Sequence, residues 1–166
     1  MLMYIIFNAR MIYLLKILLS LFLSWNFLLS YCVTFNLDLN DFPDEPNGSW
    51  VARANGSWNN WGTGITLSDD DGDGIYTAMD CGFSNGEYQF VYAITGTFDQ
   101  WSNWGIVGNP PIGSECDFNP NDTYANYGFT ISNSNVNLET HAWNCCGLYN
   151  CDSWDGCNSG AIQTDD

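Results

Sequence analysis

The chain has 166 residues, within the ~100–200 of a single domain, and carries nineteen acidic side chains against three Lys or Arg and one His. A net charge of −16 repels phosphate backbones and anionic lipid head groups, which excludes nucleic acid as a partner. Sixteen per cent of the residues are aromatic and eight are Trp, so the chain is rich in flat apolar rings despite its charge.

The first predicted element is a leader. Lys16 precedes an almost unbroken apolar run, residues 17–27, and Ser30-Tyr31-Cys32 puts small residues at the outer positions of a cleavage site. Ser24 and Asn26 interrupt the run, which falls short of the ~20 residues that span a bilayer. The expectation is a signal peptide over 1–32, cleaved after Cys32, and an exported chain of residues 33–166 with no membrane anchor. Arg53 is then the only cation, against nineteen acids. Six of the seven cysteines remain: Cys81, Cys116, Cys145, Cys146, Cys151 and Cys157. In an exported chain they read as up to three disulfides, with Cys116 joined to Cys145 or Cys146 as the preferred link. One histidine and irregular spacing argue against a zinc knuckle.

Residues 33–39 alternate apolar and polar side chains strictly, the period of a strand with one buried face. Pro43 and Pro46 mark a loop, residues 50–54 and 65–67 read as short strands, and 69–74 is an Asp/Gly turn before a strand at 75–79. Residues 88–95 form the clearest strand, with Tyr88, Phe90, Tyr92 and Ile94 on one side and Gln89, Val91 and Ala93 on the other. Weaker strands fall near 128–132 and 136–138. No segment has sustained helical periodicity. Short strands divided by turns predict an all-β, antiparallel sandwich over 33–142 and a disulfide-stapled C-terminal appendage, rich in Cys, Asn and Gly, over 143–166. The Asn-Gly-Ser-Trp at 47–50 recurs at 55–58, and one such echo does not make a structural repeat.

Two clusters invite chemistry. Trp58, Trp61, Trp101 and Trp104 sit among Gly, Asn and Ser rather than aliphatic residues, a context for exposed rings that stack on sugars. Asp69, Asp71, Asp73 and Asp80 occupy the first, third, fifth and twelfth places of an EF-hand-like run with Gly74 at the sixth, which suggests a structural Ca2+, although both flanks read as strands. Catalysis finds no such support. His141 is the only histidine and stands beside no nucleophile motif, and nineteen acids single out no pair, so the expectation is a non-enzyme. Asn47, Asn55 and Asn121 begin Asn-x-Ser/Thr sequons.

Residues 33–39, Gly56-Ser57-Trp58-Asn59-Asn60-Trp61, Asp73-Gly74-Ile75-Tyr76 and Gly86-Glu87-Tyr88-Gln89-Phe90 followed by Gln100-Trp101 resemble the successive strands of starch-binding and glycogen-binding carbohydrate modules. The resemblance covers about half of the exported chain. It implies an immunoglobulin-like sandwich with one shallow glycan site, carried position by position onto Tyr76, Gln89 and Trp101. Gln89 stands where the family has Lys, and Tyr76 where it has Trp. Trp58 and Trp104 are the fallback pair. The expected function is a secreted, non-catalytic domain that binds a polysaccharide of the α- or β-glucan class. The alternative is an extracellular structural or adhesive protein, calcium-dependent or self-assembling. Oligomeric state stays open.

Overall fold

The alternation at the start of the domain becomes β1 (Tyr31–Asp38), with Val33, Phe35 and Leu37 fully buried and the residues between them half-buried. The computed structural model describes residues 30–43 and 45–147, together with Lys16. Eight further strands follow: β2 (Trp50–Gly56), β3 (Ile65–Leu67), β4 (Ile75–Phe83), β5 (Gly86–Gly96), β6 (Ile106–Gly108), β7 (Tyr127–Ile131), β8 (Val136–Asn137) and β9 (His141–Ala142). Two three-residue 3-10 turns, Ser57–Asn59 and Thr97–Asp99, follow β2 and β5.

The strands form two sheets. In the first, β1 pairs antiparallel with β4 on one edge and parallel with β8 and then β9 on the other. The second is antiparallel throughout, in the order β3-β2-β5-β6, with β7 joining the first half of β5. The first sheet is therefore mixed, which corrects the expectation of a wholly antiparallel fold. Two-residue strands carry no alternation from which a pairing direction could be read.

The core lies between the sheets. Val33, Phe35 and Leu37 of β1 meet Phe90, Tyr92 and Ile94 of β5 and Tyr127, Phe129 and Ile131 of β7. Small residues on β2, Ala52 and Ala54, leave room for rings. Phe35 packs edge-on to Phe90 at 5.3 Å and Phe129 at 5.9 Å, contacts that add ~0.5–1.5 kcal/mol each beyond burial. Buried hydroxyls are satisfied across the layers: Tyr92 donates to the Asn36 carbonyl at 3.0 Å and Tyr127 to that of Cys145 at 2.9 Å.

Cys32, expected to leave with the leader, is half of a disulfide with Cys81, its cross-strand neighbour in β4. The cut expected after Cys32 falls inside β1, between two residues that pair with β4. The second bridge, Cys116–Cys146, is one of the two links expected for Cys116 and holds the 109–126 loop against the end of the described chain. Each such link contributes ~2–4 kcal/mol, mainly by restricting the unfolded chain. Cys145 is disulfide-bonded as well. Trp143, expected in an appendage, instead packs on Phe42 at 4.8 Å and against the core. The expectations for Cys151, Cys157 and the rest of 148–166 lie outside the described residues.

Candidate functional site

The second sheet contains a repeat. β2 and β5 each end in a glycine, Gly56 and Gly96, and each glycine leads into a 3-10 turn. The next two residues are left-handed: Asn60 and Trp61 at φ 55° and 59°, Gln100 and Trp101 at 57° and 59°. In each copy the Trp amide reaches back to the glycine carbonyl, Trp61 to Gly56 at 3.0 Å and Trp101 to Gly96 at 2.8 Å. The chain then returns as β3 beside β2, and as β6 beside β5. Forty residues separate equivalent positions. The pairing of Ala52 with Ile94 and of Ala54 with Tyr92 interchanges under that shift, so the two hairpins are related by an approximate two-fold through the Arg53–Ala93 pair. The glycines are needed for close approach: a Cβ on Gly56 would enter the Trp58 indole, and one on Gly96 would meet the backbone at Ser49 and Trp50. Left-handed backbone costs a bulky L-residue ~1–2 kcal/mol, so both Trp positions are held by their surroundings.

Asp99 does most of that holding in the second loop. Its carboxylate accepts from Thr95 Oγ1 at 2.7 Å, Gly96 N at 2.7 Å, Trp101 N at 3.2 Å, Ser102 Oγ at 2.6 Å and Gly105 N at 3.0 Å. Desolvation works to raise its pKa, but the bonds from Ser102, Gly96, Thr95 and Gly105 prevail and hold the carboxyl well below the usual range. Asn59 is its counterpart in the first loop, with two bonds, to Gly62 N at 3.0 Å and the Thr63 carbonyl at 2.8 Å.

These loops carry an aromatic cluster. Trp101 is 49% exposed, Phe98 42% and Trp104 37%. The half-buried Trp61 lies 6.3 Å from Trp104 between ring centroids, at an interplanar angle of 36°. The loops that carry them expose the uncharged Asn60, Thr63, Gln100 and Ser102, with the hydrogen-bonded Asp99 carboxylate only partly exposed. Flat rings with a rim of neutral hydrogen-bonding groups are consistent with a sugar-binding surface. Trp61 is one of the four tryptophans of polar context and lies outside the expected site. The signal that recovers it is the match of 56–61 to 96–101.

The other expected residues lie on β4, on β5 and in the first 3-10 turn. Tyr76 is half-buried on β4 of the first sheet, opposite the core residue Leu37, and its ring lies 5.6 Å from Trp50. Burial first, and then the charges of Asp69 and Glu45, raise its pKa. Gln89 lies on the outer face of the second sheet, where its Oε1 accepts from Asn126 Nδ2 at 2.9 Å. It precedes Gly96, which anchors Trp101, by seven residues, ~23 Å of extended strand. Tyr76 thus lies beside Trp50, the strand partner of Gly96, and Gln89 beside the first loop, where its N–H donates to Ser57 Oγ at 3.0 Å. Trp58 is no partner for Trp104. Its ring turns inward onto Phe35 at 5.5 Å and Phe83 at 5.6 Å despite its polar neighbours.

Asp69, Asp71 and Asp73 bring one carboxylate oxygen each to within 4.8 Å of one another, a geometry that could hold a cation. Asp80, the expected fourth ligand, stands apart from this group, in β4 opposite Val33. Asp69 also closes the turn, accepting from Gly72 N at 2.8 Å, Asp73 N at 3.1 Å and Gly74 N at 3.0 Å. His141 is 6% exposed, with its ring 4.4 Å from Tyr127, and burial pushes its pKa down to about 4. Of the sequon asparagines, Asn47 and Asn121 are exposed. Asn55 is fully buried and its amide donates to the Asn103 carbonyl at 2.7 Å.

No family model and no curated protein matches the chain. Among solved structures it is similar to a glycoside hydrolase family 15 glucoamylase from Hypocrea jecorina, at 15% sequence identity and a TM-score of 0.46, over 69% of this chain. The chain spans 17% of that protein.

Proposed function

We propose that this chain is a secreted, non-catalytic domain with an immunoglobulin-like sandwich that binds a glucan-class polysaccharide by stacking sugar rings on Trp101, Trp104 and Trp61. The observation that carries the reading is the exposure of Trp101 at 49% and Trp104 at 37% on loops rimmed by neutral polar side chains. Buried rings would signify packing, and a charged rim would favour an ionic ligand. The sole histidine is buried, which leaves no solvent-facing imidazole for acid–base work. Each stacked ring contributes about 1 kcal/mol, so a few rings give micromolar to millimolar affinity. Pull-down on insoluble α- and β-glucans tests the proposal. Retention of the folded protein on one of them is expected, and retention on none contradicts it.

The carboxylates of Asp69, Asp71 and Asp73, within 4.8 Å of one another, favour a second reading, a surface protein whose acidic copies are joined by calcium. Light scattering with and without calcium decides it. A calcium-dependent rise in mass supports assembly, and a monomer in both conditions argues against it.

A further inference from the structure

Asn103 stands where the two repeated loops meet, and three of its four polar groups join the second loop to the first. Its backbone N–H donates to Thr95 Oγ1 at 3.1 Å, and its carbonyl accepts from Asn55 Nδ2 at 2.7 Å. Its side-chain Nδ2 donates to the Gly62 carbonyl at 2.9 Å, and its Oδ1 accepts from Gly64 N at 3.2 Å. Thr95 belongs to the second hairpin; Asn55, Gly62 and Gly64 belong to the first. Its φ of 76° lies in the left-handed region, which Asn tolerates better than most residues. Gly62 adjoins Trp61 in sequence and Asn103 adjoins Trp104, so the clamp joins the backbone beside each ring of the 6.3 Å pair.

We infer that Asn103 is a positioning residue that clamps the two hairpin loops together and so fixes the Trp61 and Trp104 indoles as one two-ring surface for consecutive sugar units of a neutral glycan. The clamp stands on the hydrogen bonds; the glycan rests on the function proposed above. The hairpins spring from opposite ends of β2 and β5, since Gly56 pairs with Phe90 and Gly96 with Trp50. A ring from each can adjoin the other only if one loop reaches across the sheet and is held there. Asn103 supplies that hold, by side-chain bonds to the Gly62 and Gly64 backbone and by a carbonyl that takes the amide of the buried Asn55. An apolar side chain at 103 would leave the Gly62 carbonyl and the Gly64 amide without these partners.

Two variants separate the clamp from general stability. Asn103→Gly keeps the left-handed backbone and both main-chain bonds but loses the side-chain pair, and Asn103→Asp keeps only the acceptor for Gly64. Two indoles this close couple electronically and give a bisignate circular dichroism band, and Trp104→Phe defines its loss. Expected results are a collapsed band and about fivefold weaker binding of soluble oligosaccharide from the retaining glucan in Asn103→Gly, with Asn103→Asp between it and wild type. Cooperative unfolding should persist in both. A wild-type band in Asn103→Gly overturns the inference, as does a collapsed band with undiminished affinity. Should Asn103→Gly fail to fold, the band and affinity of Asn103→Asp and Thr95→Val decide in the same way. If the wild-type protein is retained by no glucan, the proposed function fails, while the band still decides whether Asn103 sets the ring pair.

Discussion

The two hairpins of the second sheet share a backbone and differ in where they send their rings. In the first, Trp58 turns inward against Phe35 and Phe83 and Trp61 is half-buried. In the second, the equivalent Phe98 and Trp101 are 42% and 49% exposed. The first loop is thus largely part of the core and the second largely part of the surface. The locks differ in the same sense: two hydrogen bonds to Asn59 suffice where a ring is packed, whereas five converge on Asp99 where packing does little. Rigidity for an exposed ring has to come from polar contacts, and rigid rings lose less entropy on binding.

The sharpest way to break this comparison is to truncate equivalent rings. Trp58→Ala should cost about 3–5 kcal/mol in denaturant unfolding, because it opens a cavity among the core aromatics. Phe98→Ala should stay within ~0.5 kcal/mol. Equal losses would mean that the hairpins do not divide core from surface in this way.

Beneath the hairpins, His141 gives a second, pH-dependent contrast. Its pKa is 6.5 in the unfolded chain and about 4 in the fold, so the unfolded state binds more protons between those values. Stability is full above pH ~6.5 and falls by up to roughly 3 kcal/mol as the pH drops toward ~4. His141→Leu should flatten that part of the unfolding profile, and an unchanged slope would place the titration elsewhere.

Asp99→Asn turns the second lock into the residue type of the first. An amide nitrogen would then face hydrogen-bond donors, and binding should weaken more than the unfolding temperature falls. The depressed Asp99 pKa also means that its stabilising effect is present at neutral pH and is lost only as the pH falls below the ordinary carboxylate range. The variant should lack that acid-side loss. Undiminished glycan retention in Asp99→Asn would show that the loop does not need the lock.

How much of this was legible in the sequence depends on the range over which each feature is encoded. Strict alternation over 33–39 and 88–95 gave β1, β5 and most of the core, since a period of two is a local signal. Sheet membership is not local, and spacing cannot reveal that β4, which carries Tyr76, lies in the first sheet while β5 lies in the second. Cys32 was hidden by a leader-like run whose end coincides with the start of β1. The echo of 47–50 in 55–58 has a spacing of eight residues. The repeat that shapes the surface lies forty residues away and is masked by substitutions: Thr97 for Ser57, Phe98 for Trp58 and Asp99 for Asn59. Polar neighbours correctly marked Trp101 and Trp104 as exposed, and failed for Trp58, whose ring packs on Phe35 and Phe83, residues distant in sequence.

The most direct test of the central claim is retention of Trp101→Ala on the glucan that retains the wild-type chain, with the unfolding temperature of the same sample measured alongside. The account predicts that retention is abolished while the unfolding temperature stays nearly unchanged, since an exposed ring adds little to the core. Full retention, or a large loss of stability that marks Trp101 as a packing residue, would contradict it.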